Sequence, residues 1–143
     1  MSAERLYTPQ MLSAAVELAD VPPLADPALS GSARSATCGS TLEMDLALQD
    51  EMRIAKVGMS VHACAVGQAA AAIFARHAVG CDADDIQKAL TNLAAWLEEE
   101  AGQPDWPDID LIAAARDYPG RHGAMLLPWK AAIAALSSRG EAG

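Results

Sequence analysis

The chain has 143 residues and a formal net charge of −9, and 52% of its residues are hydrophobic. This length predicts a single domain, residues 1–143, with enough apolar side chains to bury a core. Because a strongly acidic surface repels nucleic-acid phosphates and anionic lipids, we expect no binding to nucleic acid or to a membrane.

The first predicted element is a short helix. Thr8 suits the helix cap and Pro9 the first helical position, and apolar residues follow at helical spacing to about Ala19. The stretch 20–36 is rich in proline, glycine and serine, which predicts an extended connection. This connection leads into a turn that contains Cys38.

Strands are predicted after this turn, because the apolar period changes to two. From Thr41 onward, apolar and mostly polar residues alternate in the manner of a half-buried strand, with the apolar set formed by Leu42, Met44, Leu46 and Leu48. A turn is predicted at residues 49–51 and a second strand from Met52 to Val61. A third strand is predicted within residues 33–38.

The remainder of the chain is predicted to be helical. The predicted helices cover residues 64–78, which end before Gly80, then 82–100, 108–115 and about 122–136. The order of elements predicts an α+β fold in which a small antiparallel three-stranded sheet packs against helices. The C-terminal half is expected to be helical.

The three cysteines are an odd number in a chain that starts without a basic and then hydrophobic segment. No apolar run approaches the roughly 18 residues that span a bilayer. These features predict a cytoplasmic protein with free thiols rather than a disulfide framework.

Cys38 and Cys64 are the candidate metal ligands. Thiolates are soft ligands, and a turn near a strand and the start of a helix can bring two of them together. The helix dipole at Cys64 also favours a negatively charged thiolate. The alternative interpretation is that both are inert buried thiols. Cys81 is interpreted as a loop thiol.

His122 is a third candidate, because an imidazole is a good ligand for zinc or iron. The alternative is that it satisfies the start of the last helix. The sequence contains no glycine-rich phosphate loop, zinc-protease motif or credible serine, histidine and aspartate set. We therefore do not expect an enzyme.

Three motifs resemble the IscU/NifU-type iron–sulfur cluster scaffold family. They are Cys38-Gly39-Ser40 with the alternating strand after it, Val61-His62-Ala63-Cys64, and Arg121-His122-Gly123-Ala124. The resemblance covers roughly residues 6 to 136. The long stretch between the last two motifs, and Leu127-Pro128-Trp129 after them, resemble the SufU-like branch.

The resemblance implies a small antiparallel sheet packed on helices, in agreement with the predicted elements. It also implies a protein that holds a nascent iron–sulfur cluster or a zinc ion with three cysteines and an aspartate or histidine. Such proteins receive sulfur from a cysteine desulfurase and pass the cluster to an apo-protein acceptor. Carried onto this chain, the site would use Cys38 and Cys64, with His122 as a further metal ligand.

Two positions depart from the family pattern at the ligands themselves. Ser40 stands where the family has aspartate, and Ala124 stands where the third cysteine is expected. A closed zinc site needs four ligands, so the set is incomplete. Two copies in a homodimer would supply four thiolates to one cluster. The alternative function is a metal-free protein-interaction module that has lost cluster binding.

Overall fold

The structure is a computed structural model that describes residues 7–36 and 39–142, with side chains up to residue 138. Its sheet contains β1 (Leu29–Arg34), β2 (Thr41–Gln49) and β3 (Arg53–His62). The strands are antiparallel and lie in the order β1-β2-β3. The predicted three-stranded α+β fold is therefore confirmed.

Four α-helices are described: α1 (Pro9–Val16), α2 (Ala65–His77), α3 (Ala83–Leu97) and α4 (His122–Ala142). The Thr8 hydroxyl accepts a hydrogen bond from the Met11 backbone N–H at 3.1 Å, so Thr8 caps α1 as predicted. Asp82 and Asp85 form a reciprocal capping box at the start of α3. Shorter 3-10 helices cover Glu17–Asp20, Asp50–Met52, Ile109–Asp117 and Pro119–Arg121.

The core lies between one face of the sheet and the helices. The period of two in β2 is explained by this arrangement, because Leu42, Met44 and Leu46 are fully buried. Helix α4 packs on β1 and β2, and α2 packs between α1 and α4. The aromatic ring of Trp129 on α4 is fully buried and meets the Phe74 ring edge to face at 5.5 Å.

Several predicted boundaries were wrong. The third strand, predicted within residues 33–38, is β1 and ends at Arg34, because the Ser35 N–H bonds to the Ser40 carbonyl and closes a loop. Helix α1 ends at Val16 instead of Ala19 and continues as a tighter 3-10 turn. The helix predicted over residues 108–115 is a 3-10 helix, Ile109–Asp117. Helix α4 extends beyond its predicted end at residue 136. In the part of the chain that is described, no helix is long and apolar enough to cross a membrane.

Candidate functional site

The strand register brings two of the sequence motifs to one end of the sheet. Arg34 on β1 pairs with Thr41 on β2, and Thr41 pairs with His62 at the end of β3. Neighbouring strands lie about 5 Å apart. The loop between β1 and β2 therefore lies beside the connection from β3 to α2, which contains Cys64.

The loop between β1 and β2 is closed by its own backbone. The Ser35 N–H donates to the Ser40 carbonyl at 2.8 Å, and the Gly39 N–H donates to the Ser35 carbonyl at 2.9 Å. Gly39 has φ +68°, a left-handed conformation that glycine adopts without strain. Cys38, the first predicted ligand, lies outside the described residues.

Cys64 is the cap residue of α2. It is half-buried, its backbone is extended, and its side chain makes no capping hydrogen bond. The Gln68 amide nitrogen donates to the Ala63 carbonyl at 2.9 Å, and the Gln68 N–H donates to the Cys64 carbonyl at 3.0 Å. The side chain and backbone of Gln68 thus fix the connection that presents the Cys64 thiol.

Position 124, where the family's third cysteine is expected, lies against the first turn of α2. A Cβ added to Gly67 would be 3.4 Å from the Ala124 Cβ and 2.7 Å from the Ala63 Cβ. Ala124 is fully buried. The position therefore lies next to the helix start that Cys64 caps, but it offers a methyl group in place of a sulfur ligand.

His122 is half-buried at the start of α4. Its Nε2 donates to the Arg116 carbonyl oxygen at 2.6 Å. The imidazole lines a cavity of about 250 Å³ together with Leu97, Glu99 and Arg116, among others, and Cys64 is not part of this lining. With the proton on Nε2, the ring lone pair is on Nδ1.

The other candidate side chains lie at different places. His62 is exposed at the end of β3, two residues before Cys64. Ser40 is buried. Cys81 lies at the opposite end of β3, where its carbonyl accepts a hydrogen bond from the Ile54 N–H at 2.8 Å. Burial, followed by the nearby carboxylates of Asp85 and Asp82, raises the pKa of the Cys81 thiol.

A metal or cluster would find an incomplete donor set among the described residues. Across residues 7–36 and 39–142, no group of three or more His, Cys, Asp or Glu side chains is arranged to hold a metal ion. At the sheet end described above, the described residues offer one free thiol, that of Cys64. A soft-metal site here thus requires ligands from outside this set, and Cys38 is the predicted one.

Sequence reasoning missed a charged cluster at the C-terminal end of α2. Arg76 donates through Nε to Glu17 at 2.8 Å and through its guanidinium to Asp108 at 3.1 Å. His77 Nε2 donates to the same Asp108 oxygen at 2.7 Å. The cluster joins α2 to the end of α1 and to the start of the 109–117 helix, and only the folded chain brings these segments together.

The carboxylate of Asp108 is expected to stabilise the fold in a pH-dependent manner. Hydrogen bonds from His77 and then Arg76 lower its pKa below the ordinary value of 3.8. Its stabilising contribution is therefore present above that value and is lost as the pH falls through the lower folded pKa. Because the side chain is 38% exposed, we expect Asp108→Asn to cost at most about 1 kcal/mol near neutral pH.

Denaturant unfolding at neutral pH and near pH 2 measures this difference between wild type and Asp108→Asn. The difference should shrink toward zero in acid. Asparagine tolerates the left-handed backbone of Asp108, φ 69°, so the substitution tests the charge and not the turn. Exposed Asp110 provides the matched control, Asp110→Asn, which should change little at either pH. An unchanged difference in acid would contradict the assignment.

Comparison with known proteins gives a match at the level of structure. No family model matches the sequence, and no curated protein does. The chain is similar to the N-terminal part of a nitrogen-fixing NifU-like protein from Brucella abortus, with 27% identity, full coverage of both chains and a TM-score of 0.88. It is also similar to a putative iron–sulfur cluster assembly scaffold protein of the SUF system from Fervidobacterium islandicum AW-1. That similarity has 18% identity, a TM-score of 0.79, and covers 92% of this chain and 96% of the other.

Proposed function

We propose that this chain, whose fold is similar to those of a NifU-like protein and a SUF-system scaffold protein, acts as an iron–sulfur cluster assembly scaffold or carrier. Its cargo is an iron–sulfur cluster or a zinc ion, held by the thiolates of Cys38 and Cys64. The observation that carries the proposal is the strand register. It puts the described ends of the Cys38 loop beside the β3–α2 connection, where Cys64 offers a free thiol.

The missing ligands determine how such a site works. With a buried methyl group at position 124, two thiolates leave half of a four-ligand site open. Water, a small thiol or a cysteine from another protein fills the open positions, and a homodimer supplies four thiolates to one cluster. Where His122 serves as a further ligand, it binds through Nδ1, because its Nε2 is bonded to the Arg116 carbonyl, and its side chain must leave the cavity that it lines without Cys64. An open site suits a protein that passes its cargo on.

The partners follow from this role. A cysteine desulfurase supplies sulfur to the site, and an apo-protein acceptor receives the cluster. The protein itself holds and transfers the cargo, and no catalytic group is assigned. Its net charge of −9 favours partners with a basic docking surface.

Anaerobic reconstitution with iron and sulfide tests the proposal. Wild type should develop a thiolate-to-iron absorption band, which should be lost in Cys64→Ser and in Cys38→Ser. Cys81→Ser is the matched control and should keep the band, because Cys81 lies at the opposite end of β3. A band that survives in both Cys64→Ser and Cys38→Ser would contradict the assigned ligands.

A second candidate function is a metal-free interaction module. It is favoured by the fully buried methyl group of Ala124 at the position of the third cysteine. In that case the fold binds a desulfurase or an apo-protein, or forms a dimer, without cargo. A wild-type protein that stays colourless after reconstitution and contains no zinc by elemental analysis would support this function over the first.

A further inference from the structure

A groove of about 430 Å³ lies between α3 and the loop that follows it, away from the Cys64 end of the sheet. Its walls include Cys81, Ala89 of α3, and Trp106 and Pro107 of the loop. Exposed side chains of Asp85, Lys88 and Asp105 form its rim. The groove thus combines an apolar interior with a charged edge, a combination that is common in ligand-binding sites.

The aromatic wall of the groove is held rigidly. The Trp106 indole N–H donates to the Ile73 carbonyl at 3.2 Å, and the indole stacks on the Phe74 ring at 5.4 Å between ring centres. The Cys81 thiol, which also lines the groove, donates weakly to the His77 carbonyl at 3.6 Å. Because burial raises the pKa of this thiol, it presents a neutral sulfur to the groove. Because this wall is already ordered, binding of a ligand costs little side-chain entropy of the protein.

The charge at the groove favours a basic occupant. Asp105 and Asp85 are both exposed on the rim, and Asp82 lies beside Asp85 near the Cys81 thiol. The cations at this place are Lys88 and Arg53, and the Arg53 guanidinium is 3.9 Å from the Asp85 carboxylate. The imidazole of His77, which also lines the groove, is bonded to the Asp108 carboxylate. The chain as a whole has a formal net charge of −9. One face of the Trp106 indole is stacked on Phe74, and an indole face also attracts a guanidinium or ammonium group.

The groove is remote from the proposed cargo site. The Ile54 N–H at the start of β3 bonds to the Cys81 carbonyl, whereas Cys64 follows the end of β3 at His62. His62 is eight positions along the strand from Ile54, which is about 26 Å at the usual rise per residue. An occupant of the groove therefore leaves the Cys64 thiol accessible.

We propose that this groove docks a basic segment of a partner protein. An apolar side chain of the segment packs against Trp106 and the Cys81 sulfur, and its flanking arginine or lysine side chains pair with Asp105 and Asp85. Docking of this kind lets a partner bind the protein while the cargo site stays accessible. The inference is independent of the ligands assigned to the cluster.

Titration with a defined peptide tests the proposal. The probe is an acetylated and amidated peptide of sequence Gly-Arg-Leu-Arg-Gly, compared with Gly-Glu-Leu-Glu-Gly, and the readout is the NMR spectrum of the full chain. The arginine peptide should shift the Trp106 indole signal and the backbone signals of residues 81–92 saturably, and its binding should weaken as salt is raised. The glutamate peptide should bind at least about tenfold more weakly.

Variants of the groove decide the outcome. Ala89→Arg, which fills the groove, should weaken binding of the arginine peptide at least about tenfold, whereas Gln87→Arg, the same charge on an exposed part of α3, should weaken it far less. Asp105→Asn should weaken it about threefold, and Asp84→Asn, outside the lining, should have a smaller effect.

Equal binding of the two peptides would overturn the proposal, as would unchanged binding in both Ala89→Arg and Asp105→Asn. Circular dichroism identifies a variant that fails to fold, and the conservative Asp105→Asn then carries the test. Binding in Cys64→Ser should equal that of wild type. Loss of cluster binding and loss of docking are therefore distinguishable.

Discussion

Replacing Ala124 by cysteine is expected to raise the affinity for Zn²⁺ at the Cys64 end of the sheet by at least about tenfold, the low end of what supporting groups contribute to metal sites. Position 124 faces Gly67 in the first turn of α2, and the absence of a Cβ at Gly67 lets the Ala63 and Ala124 methyl groups approach this helix start closely. A cysteine there would add a third soft ligand to the two proposed thiolates. Competition with a chelating dye measures the zinc affinity, and the charge-transfer absorption of Co²⁺ reports the number of thiolates.

The control for this substitution is Ala132→Cys, which introduces a thiol at another fully buried alanine of α4. It should leave the zinc affinity unchanged, because it lies about 12 Å along the helix from position 124. Adding Cys64→Ser to Ala124→Cys should reverse the gain. If Ala124→Cys folds and binds zinc no more tightly than wild type, position 124 is not part of a metal site.

The local parts of the candidate site were predictable from sequence. Cys64 starts a helix because a strand pattern ends at about Val61 and small apolar residues follow. The environment of His122 was not predictable. Its Nε2 bonds to the Arg116 carbonyl because the 3-10 turn Pro119–Arg121 folds the chain back between them. Periodicity reports which face of an element is buried and says nothing about such a turn.

Contacts between residues that are far apart in sequence were also not predictable from the local pattern. Arg76 and Glu17 are far apart in sequence, and for each one alone the sequence predicts a solvent-exposed charge on a helix. Their ion pair depends on α1 packing on α2, which follows from the apolar faces of both helices and not from the charges. A comparable limit applies to β1. Leu29–Arg34 is rich in serine, glycine and alanine, which have weak strand propensity, so its boundaries were predicted incorrectly.

Gly31 allows the backbone of α4 to approach β1 closely, and its replacement by alanine is expected to have the largest effect on stability. A Cβ at Gly31 would lie 2.2 Å from the Ala135 backbone nitrogen and 2.7 Å from the Ala134 carbonyl carbon. Both are backbone atoms of α4, so no side-chain rotation relieves the overlap. Overpacking costs about 1–3 kcal/mol where side chains adjust. We therefore expect Gly31→Ala to lower the free energy of unfolding by at least about 3 kcal/mol, as measured by denaturant unfolding.

Gly102→Ala is the matched control, because a Cβ at Gly102 would have nothing within 4 Å. It should change the free energy of unfolding by less than about 0.5 kcal/mol. The contact also matters for the site, since Ala124 and Ala135 lie on the same helix, about 16 Å apart, with Pro128 between them. Displacing α4 from β1 would move position 124 relative to Gly67. The combination Gly31→Ala with Ala124→Cys should therefore lose part of the zinc affinity that Ala124→Cys alone gains. A small stability loss in Gly31→Ala would mean that α4 does not approach β1 as closely as described.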